Sequence, residues 1–458
     1  MKLKKHILAC VLALIGCYAF AQYGSQKRAD NLFNKFSFVS AAEEYRELIE
    51  NDYNADYATR QLADSYAFLR NPDSAVVYYE KAIKQDNVPI EYYYNYAQAL
   101  RGVKNYRAYR VWMRNFKEAG GRIDDENLSK DGDFISSIFN AKQQYFLTDV
   151  NFNSKYTDFG AYEHDGKIYF ASSRDEGVST KHIYGWNEEP FLDIYTAINR
   201  TDSIINHKSK LKGDINSMYH EGPLTISKDG KTIYFSRNDF NNQVLGKNEE
   251  GITNLKIYKA SLIDGEWTNI EELPFNSNNY STAHPALNSD ETKLYFASDM
   301  PGNIGGTDIF YVDINNNSSY GKPQNAGNIV NTDKNERFPF INSEGALFFA
   351  SDGHPGLGLL DIFGTVLDKD DNIINVINLG VPVNSSKDDF SFFMNDDGLS
   401  GFFASNRNGG VGADDIYAYD RIPQLKIEGT VTDVDGNPIE NATVELFDAD
   451  GNKIAYLE

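Results

Sequence analysis

Carboxylates recur along this 458-residue chain at places where chemistry could be done. Asp158, Glu221, Glu336 and Asp389 each stand just ahead of a strand-forming run, with Ala283 and His284 in the corresponding place of another copy. Gathered around one opening, such side chains would make an electronegative funnel able to hold a cation or a basic partner segment. As caps of strand starts on a solvated rim they would do no more than fix local geometry. A second set, Asp193, Asp308, Asp361 and Asp415, invites a catalytic reading, but it recurs at one position per repeat and Lys256 breaks it. Hydrogen bonding at the start of a strand accounts for that pattern better. The histidines are scattered; His220, His284 and His354 lie near turns without forming a close ligand pair, so no metal is expected. Neither a His-Glu-x-x-His helix nor a Gly-x-Ser-x-Gly elbow is present. Asp368-Lys369-Asp370-Asp371, Asp433-Val434-Asp435-Gly436 and Asp448-Ala449-Asp450-Gly451 lack the further ligands of a calcium loop and read as hairpin turns. No cofactor is implied.

The elements that must position these groups are repeated. Tyr169-Phe170-Ala171, Tyr234-Phe235-Ser236, Tyr295-Phe296-Ala297, Phe348-Phe349-Ala350 and Phe402-Phe403-Ala404 are each followed by a turn and a second strand-like run. Those runs are Asp193-Ile194-Tyr195, Lys256-Ile257-Tyr258, Asp308-Ile309-Phe310, Asp361-Ile362-Phe363 and Asp415-Ile416-Tyr417. Self-similarity at this spacing predicts a β-propeller over residues 145–422, with five blades that are each a small antiparallel sheet. An Asn followed by Ser or Thr precedes each innermost strand: Asn153, Asn216, Asn276, Asn331 and Asn384. The first copy, Phe146 to Phe152, has no blade in front of it, and the last blade lacks an outer strand. The N-terminal strand is therefore expected to complete the last blade, which removes two open sheet edges.

A different period precedes the propeller. Ala42, Ala75 and Ala108 are spaced 33 apart within runs of small and large apolar residues. Each run has a partner such as Leu62–Tyr66 or Tyr96–Leu100, so residues 25–120 read as stacked helix hairpins. Residues 121–144 then supply a linker helix, with Phe134, Ile135, Ile138 and Phe139 on one face. The first residues, 1–21, read as an export signal: Lys2, Lys4 and Lys5, an apolar stretch Ile7–Ile15, and the small-residue site Ala19-Phe20-Ala21. Leu14-Ile15-Gly16-Cys17 offers a competing lipidation site at Cys17. Both cysteines, Cys10 and Cys17, lie in that segment, so no disulfide framework is expected. A net charge of −22 argues against nucleic acid and anionic membrane surfaces as partners.

These phrases carry a resemblance. The helix hairpins resemble tetratricopeptide (TPR) repeats, and the propeller phrases are similar to the WD40-like PD40 repeats that build TolB-like propellers. Residues 423–458, with strands Leu425–Asp433 and Ala442–Leu446 around Asp435-Gly436-Asn437-Pro438, look like the start of a carboxypeptidase regulatory-like domain. That domain is a transthyretin-like β-sandwich, and the 34 residues from Leu425 onward are too few for it, so the sequence is expected to stop inside the domain. The order of modules resembles multidomain proteins of the Bacteroidetes OmpA family, in particular PorE-type components of type IX secretion and gliding. The resemblance implies a non-enzymatic exported scaffold in the periplasm. It would hold protein partners at the outer membrane, with peptidoglycan reached only through a further domain. The rival readings are a carbohydrate-binding or glycan-processing envelope propeller and a TolB-like periplasmic adaptor.

Overall fold

In the computed structural model, residues 23–457 are described except 124, 175–182, 199–204, 242, 316–318, 424–429, 441, 448–450 and 452. The expected export signal with Cys17, and most of the strand expected from Leu425, lie outside the described residues. Two compact units are present, residues 1–421 and 422–458.

Among the described residues, the first unit opens with seven helices: α1 (23–34), α2 (Phe38–Glu50), α3 (Ala55–Phe68), α4 (Pro72–Ala82), α5 (Glu91–Gly102), α6 (Tyr106–Glu118) and α7 (Asp125–Asn140). Short turns leave consecutive helices packed as hairpins. Buried alanines let them approach: Ala29, Ala41, Ala42 and Ala58 around Tyr45 and Leu62, then Ala63, Ala75, Ala82 and Ala97 around Tyr79 and Tyr96. A polar node repeats with this packing. Asp30 accepts hydrogen bonds from Tyr45 and Tyr57, both at 2.8 Å. Asp64 accepts them from Tyr79 at 2.8 Å and Tyr92 at 2.6 Å. Each buried phenol thereby keeps a partner, which a buried hydroxyl needs to avoid a penalty of about 1–3 kcal/mol. Burial and the neighbouring carboxylate raise the Tyr57 phenol to about 12.

Five four-stranded antiparallel sheets come next, as the repeat predicts. Their innermost strands are Asp158–His164, Glu221–Ile226, Thr282–Leu287, Glu336–Ile341 and Asp389–Met394, in blades 1 to 5. The quoted phrases form the second and third strands of each sheet. Blade 5 is completed by Tyr145–Asp149, which pairs antiparallel with Asp415–Arg421 so that Leu147 faces Tyr419. The ring is closed by its own N-terminal strand.

The asparagines explain how one blade is tied to the next. Asn384 accepts from the Ile362 N–H and donates to the Ile362 carbonyl, both at 2.8 Å. Asn153, Asn216, Asn276 and Asn331 make the same two-point clasp on Ile416, Ile194, Ile257 and Ile309. Each clasp takes up a backbone N–H of the third strand, as buried backbone groups require, and adds a donor to that residue's carbonyl, which for Ile194, Ile257, Ile309 and Ile362 also accepts a backbone N–H.

The helices and the propeller belong to one unit, and they meet on the face from which the innermost strands start. Trp186, in a long loop of blade 1, donates Nε1–H to the Phe68 carbonyl at 3.2 Å and meets Phe38 edge-on at 4.7 Å. Arg70 lies 3.5 Å from Asp388, Lys387 pairs with Asp73, and the Lys334 ammonium sits 5.0 Å over the Tyr94 ring.

The second unit holds a hairpin of Val444–Phe447 with Lys453–Leu457 and a bridge between Thr432 and Pro438. The Asp433 Oδ1 accepts from the N–H groups of Asp435 and Asn437, each at 2.9 Å. Asp368 does the same to Asp370 and Asn372. Both aspartates are engaged by their own turns, in keeping with the hairpin reading.

Candidate functional site

Of the two readings of these carboxylates, the solvent-facing ring is not what the structure shows. Asp158, Glu221, Glu336 and Asp389 are all 0 % exposed. Each turns back to accept the backbone N–H of the Ser or Thr four residues earlier: Ser154, Ser217, Thr332 and Ser385. Arg174 reaches Asp158 at 2.5 Å, Arg237 comes to 3.1 Å from Glu221, and Arg407 reaches Asp389 at 2.5 Å. The same guanidinium groups donate to the carbonyls of Phe152, Ile215 and Val383 and lie over aromatic rings of the second and third strands. A planar five-donor cation suits this task, since it holds a carboxylate, a carbonyl and a ring face together. These acids are buried staples inside the blades, and a funnel that needs their charge in solvent is ruled out.

The sequence pattern groups His284 with these acids, and the strand register moves it. Thr282, opposite Ser298, occupies the carboxylate position of blade 3, and its hydroxyl donates to Asn276. His284 sits two residues on, its ring stacked on Phe338 at 3.8 Å and its backbone N–H donating to the Ser236 hydroxyl at 2.8 Å. Burial, aided by the nearby Arg337 charge, lowers its imidazole to about 3, so the ring is neutral at physiological pH.

The arginines carry a signal that the strand motif alone does not. Arg174, Arg237 and Arg407 follow the second-strand phrases of the three blades that have both a carboxylate and a cationic partner. Blade 3 has Thr282 and, in the arginine's place, the buried Met300 packed with Phe275 and Phe296. Blade 4 keeps Glu336 without an arginine, and its carboxylate takes the hydroxyls of Thr332 and Ser351, both at 2.7 Å. Burial raises Glu336 to about 7. Because its folded value lies above its unfolded one, the stability it contributes is fully present below about pH 4.5 and is lost as pH rises to about 7. Glu336→Gln keeps an acceptor for the Thr332 N–H and an amide for hydroxyls that can rotate. The variant should gain on the parent protein across that window, by up to about 3 kcal/mol, and hold the gain above it. Thermal melts between pH 4.5 and 8 check this; parallel curves would refute it.

Beyond the staples each innermost strand carries a β-bulge with one residue at positive φ: Gly160, Gly222, His284, Phe338 and Ser391. Glycine is required at 222, where φ is +100° and a Cβ would come within 2.7 Å of the Ala171 Cβ. The bulges turn side chains into the channel. Phe159, Phe338 and Phe390 pack ring to ring at 4.9–6.1 Å and close it on the helical side. From there a cavity of about 970 Å³ extends to the opposite face. Its wall includes Tyr162, Pro223, Leu224, Phe340 and Phe393, and its mouth is formed by hairpin turns bearing Asp165, Asp229, Glu291 and Asp396. Sequence reasoning places the opening at the other end of the strands. Among the described residues no group of three or more His, Cys, Asp or Glu is arranged to hold a metal, and no helix is long and apolar enough to cross a membrane.

No family model and no curated protein matches the chain. Among solved structures, it is similar to a protein assigned as TolB from Agrobacterium tumefaciens, at 13% identity and TM-score 0.35, over 62% of this chain and 100% of that one. An α-L-arabinofuranosidase from Lactobacillus brevis is similar at 15% identity and TM-score 0.37, over 61% and 91%. A puromycin-hydrolyzing peptidase from Mycobacterium tuberculosis is similar at 15% and TM-score 0.30, over 53% of this chain and 32% of that chain, about a third of its length. Likeness at this level assigns neither activity nor ligand, and the five blades are read from the strand pairing itself.

Proposed function

We propose that this protein is a non-catalytic scaffold that binds protein partners, exported and held at the outer membrane as a component of a secretion or gliding assembly. The single observation that carries the reading is what the repeated carboxylates do. The side chains best placed for acid–base work are consumed by bonds to backbone, hydroxyl and guanidinium groups inside the blades, while the open channel has a mixed wall in which Tyr162, Leu224, Phe340 and Phe393 stand among polar and charged groups. Surfaces of that kind gain affinity from apolar burial. The joint between helices and propeller supports it further, because two binding modules fixed by Trp186 and by the Arg70–Asp388 and Lys387–Asp73 pairs present partners in a set relation. The placement at the outer membrane, the reading of the helices as tetratricopeptide-like and that of residues 423–458 as the start of a transthyretin-like sandwich rest on the sequence resemblance.

Cross-linking in native envelopes, then affinity purification, tests the proposal. Recovery of a fixed set of envelope proteins, cross-linked to helices or propeller, is the expected outcome. Turnover of a glycan by the purified protein, lost on substitution of channel residues, would instead establish the glycan-processing alternative.

A further inference from the structure

The channel cavity has a chemistry of its own, and a partner assigned to it rests on the scaffold reading, which it narrows to one site. The cavity is blind: the Phe159, Phe338 and Phe390 rings close one end, and the lining begins at Gly160, Pro223, His284, Phe338 and Ser391. At about 970 Å³ it stands at the upper end of the range of roughly 300–1,000 Å³ found for sites that take a discrete ligand. The interior offers ring faces from Tyr162, Phe340 and Phe393, while the mouth differs in kind. Glu163, Asp165, Asp229, Glu291 and Asp396 stand there with Lys167 and Lys228, a majority of negative charge. Opposite in character, the apolar wall and the acidic mouth together set what can occupy the cavity.

We infer that this well is the docking point for an extended segment of a partner protein, one that carries an apolar or aromatic anchor flanked by basic residues. The anchor fills the aromatic interior and takes its area out of water. The flanking Lys or Arg side chains meet the acidic mouth, adding steering and selecting against acidic segments. The two parts act together: an acidic mouth alone attracts any cation, and an aromatic well alone takes any small apolar body.

The test uses the purified mature chain and a fluorescent nine-residue probe, a Phe-Leu-Phe core with two lysines and a glycine on either side. Saturable binding is expected. Exchanging the lysines for glutamates, or the core for Ser-Gly-Ser, should weaken it at least about tenfold, a change of about 1.4 kcal/mol. Reversing the mouth with Asp165→Lys, Asp229→Lys and Asp396→Lys together should cost at least about tenfold, and Phe340→Ala at least about fivefold. Reversing three exposed acids elsewhere, Glu50→Lys, Glu118→Lys and Asp370→Lys, should leave affinity within about twofold, which separates the mouth from the charge of the whole molecule. The inference is overturned if the Ser-Gly-Ser probe binds as well as the parent probe, or if the two triple reversals act alike. Partner cross-links that map only to the helices, with no probe binding, would refute the well as a site and leave the scaffold reading standing. A glycan that binds in the well and is turned over would sink both.

Discussion

Asn384→Ala is expected to destabilise the propeller by about 1–3 kcal/mol, a loss that shows as a lower denaturant midpoint. The side chain is 1 % exposed and satisfies two backbone groups at once, the N–H and carbonyl of Ile362, besides donating to Asn378. Alanine leaves the N–H without a partner in a place water does not reach, at a cost of about 1–3 kcal/mol, whereas the carbonyl keeps the Leu379 N–H at 3.1 Å. The informative companion is Asn384→Asp. Its ionised carboxylate still accepts from the Ile362 N–H but faces the Ile362 carbonyl with a lone pair, and only the protonated acid can donate there. The new carboxyl will therefore have a raised folded pKa, and the variant should lie close to the parent protein at low pH and fall away as pH rises. Denaturant titrations at two pH values measure both effects. A loss below about 1 kcal/mol for Asn384→Ala would mean that the clasp is replaceable.

The second large effect concerns closure of the ring. Leu147 and Thr148 lie opposite Tyr419 and Ala418, and neighbouring residues of a strand at a sheet edge point their N–H groups alternately to the partner strand and away from it. Of Leu147→Pro and Thr148→Pro, one should remove a ladder bond and cost about 3 kcal/mol or more, while the other should be tolerated once side-chain loss, measured with Leu147→Ala, is subtracted. The damaging variant uncovers the edge of Asp415–Arg421, so blade 5 should also gain amide exchange and the protein should self-associate. Two equally mild variants would show that Tyr145–Asp149 does not hold the ring.

Much of this architecture is legible in the order of residues, because it is written in local patterns. The Tyr-Phe-Ala and Asp-Ile-Tyr phrases recur as short apolar runs of strand length. The alanines recur at the period of a helix hairpin, and the surplus strand at one end matches the deficit at the other. Each of these is decided by what a short stretch can bury, so counting repeats suffices to find five blades and their closure. The Asn residues are visible as markers too, although the groups they clasp are not.

The roles of the charged groups obey a different logic. An aspartate before a strand looks the same whether it faces water or an arginine. The partners that bury Asp158 and Asp389, Arg174 and Arg407, stand 16 and 18 residues away, in the loop after the next strand. Likewise, nothing in the phrases says which mouth of the channel the helices occupy; that is decided by Trp186 and the Arg70 and Lys387 pairs, contacts between segments more than a hundred residues apart. The chain's order thus determined the elements and their count, since these depend on neighbours in sequence. Only the tertiary structure decided which carboxylates are staples and where the open well lies, because a side chain's charge, solvation and accessibility depend on what the fold brings against it.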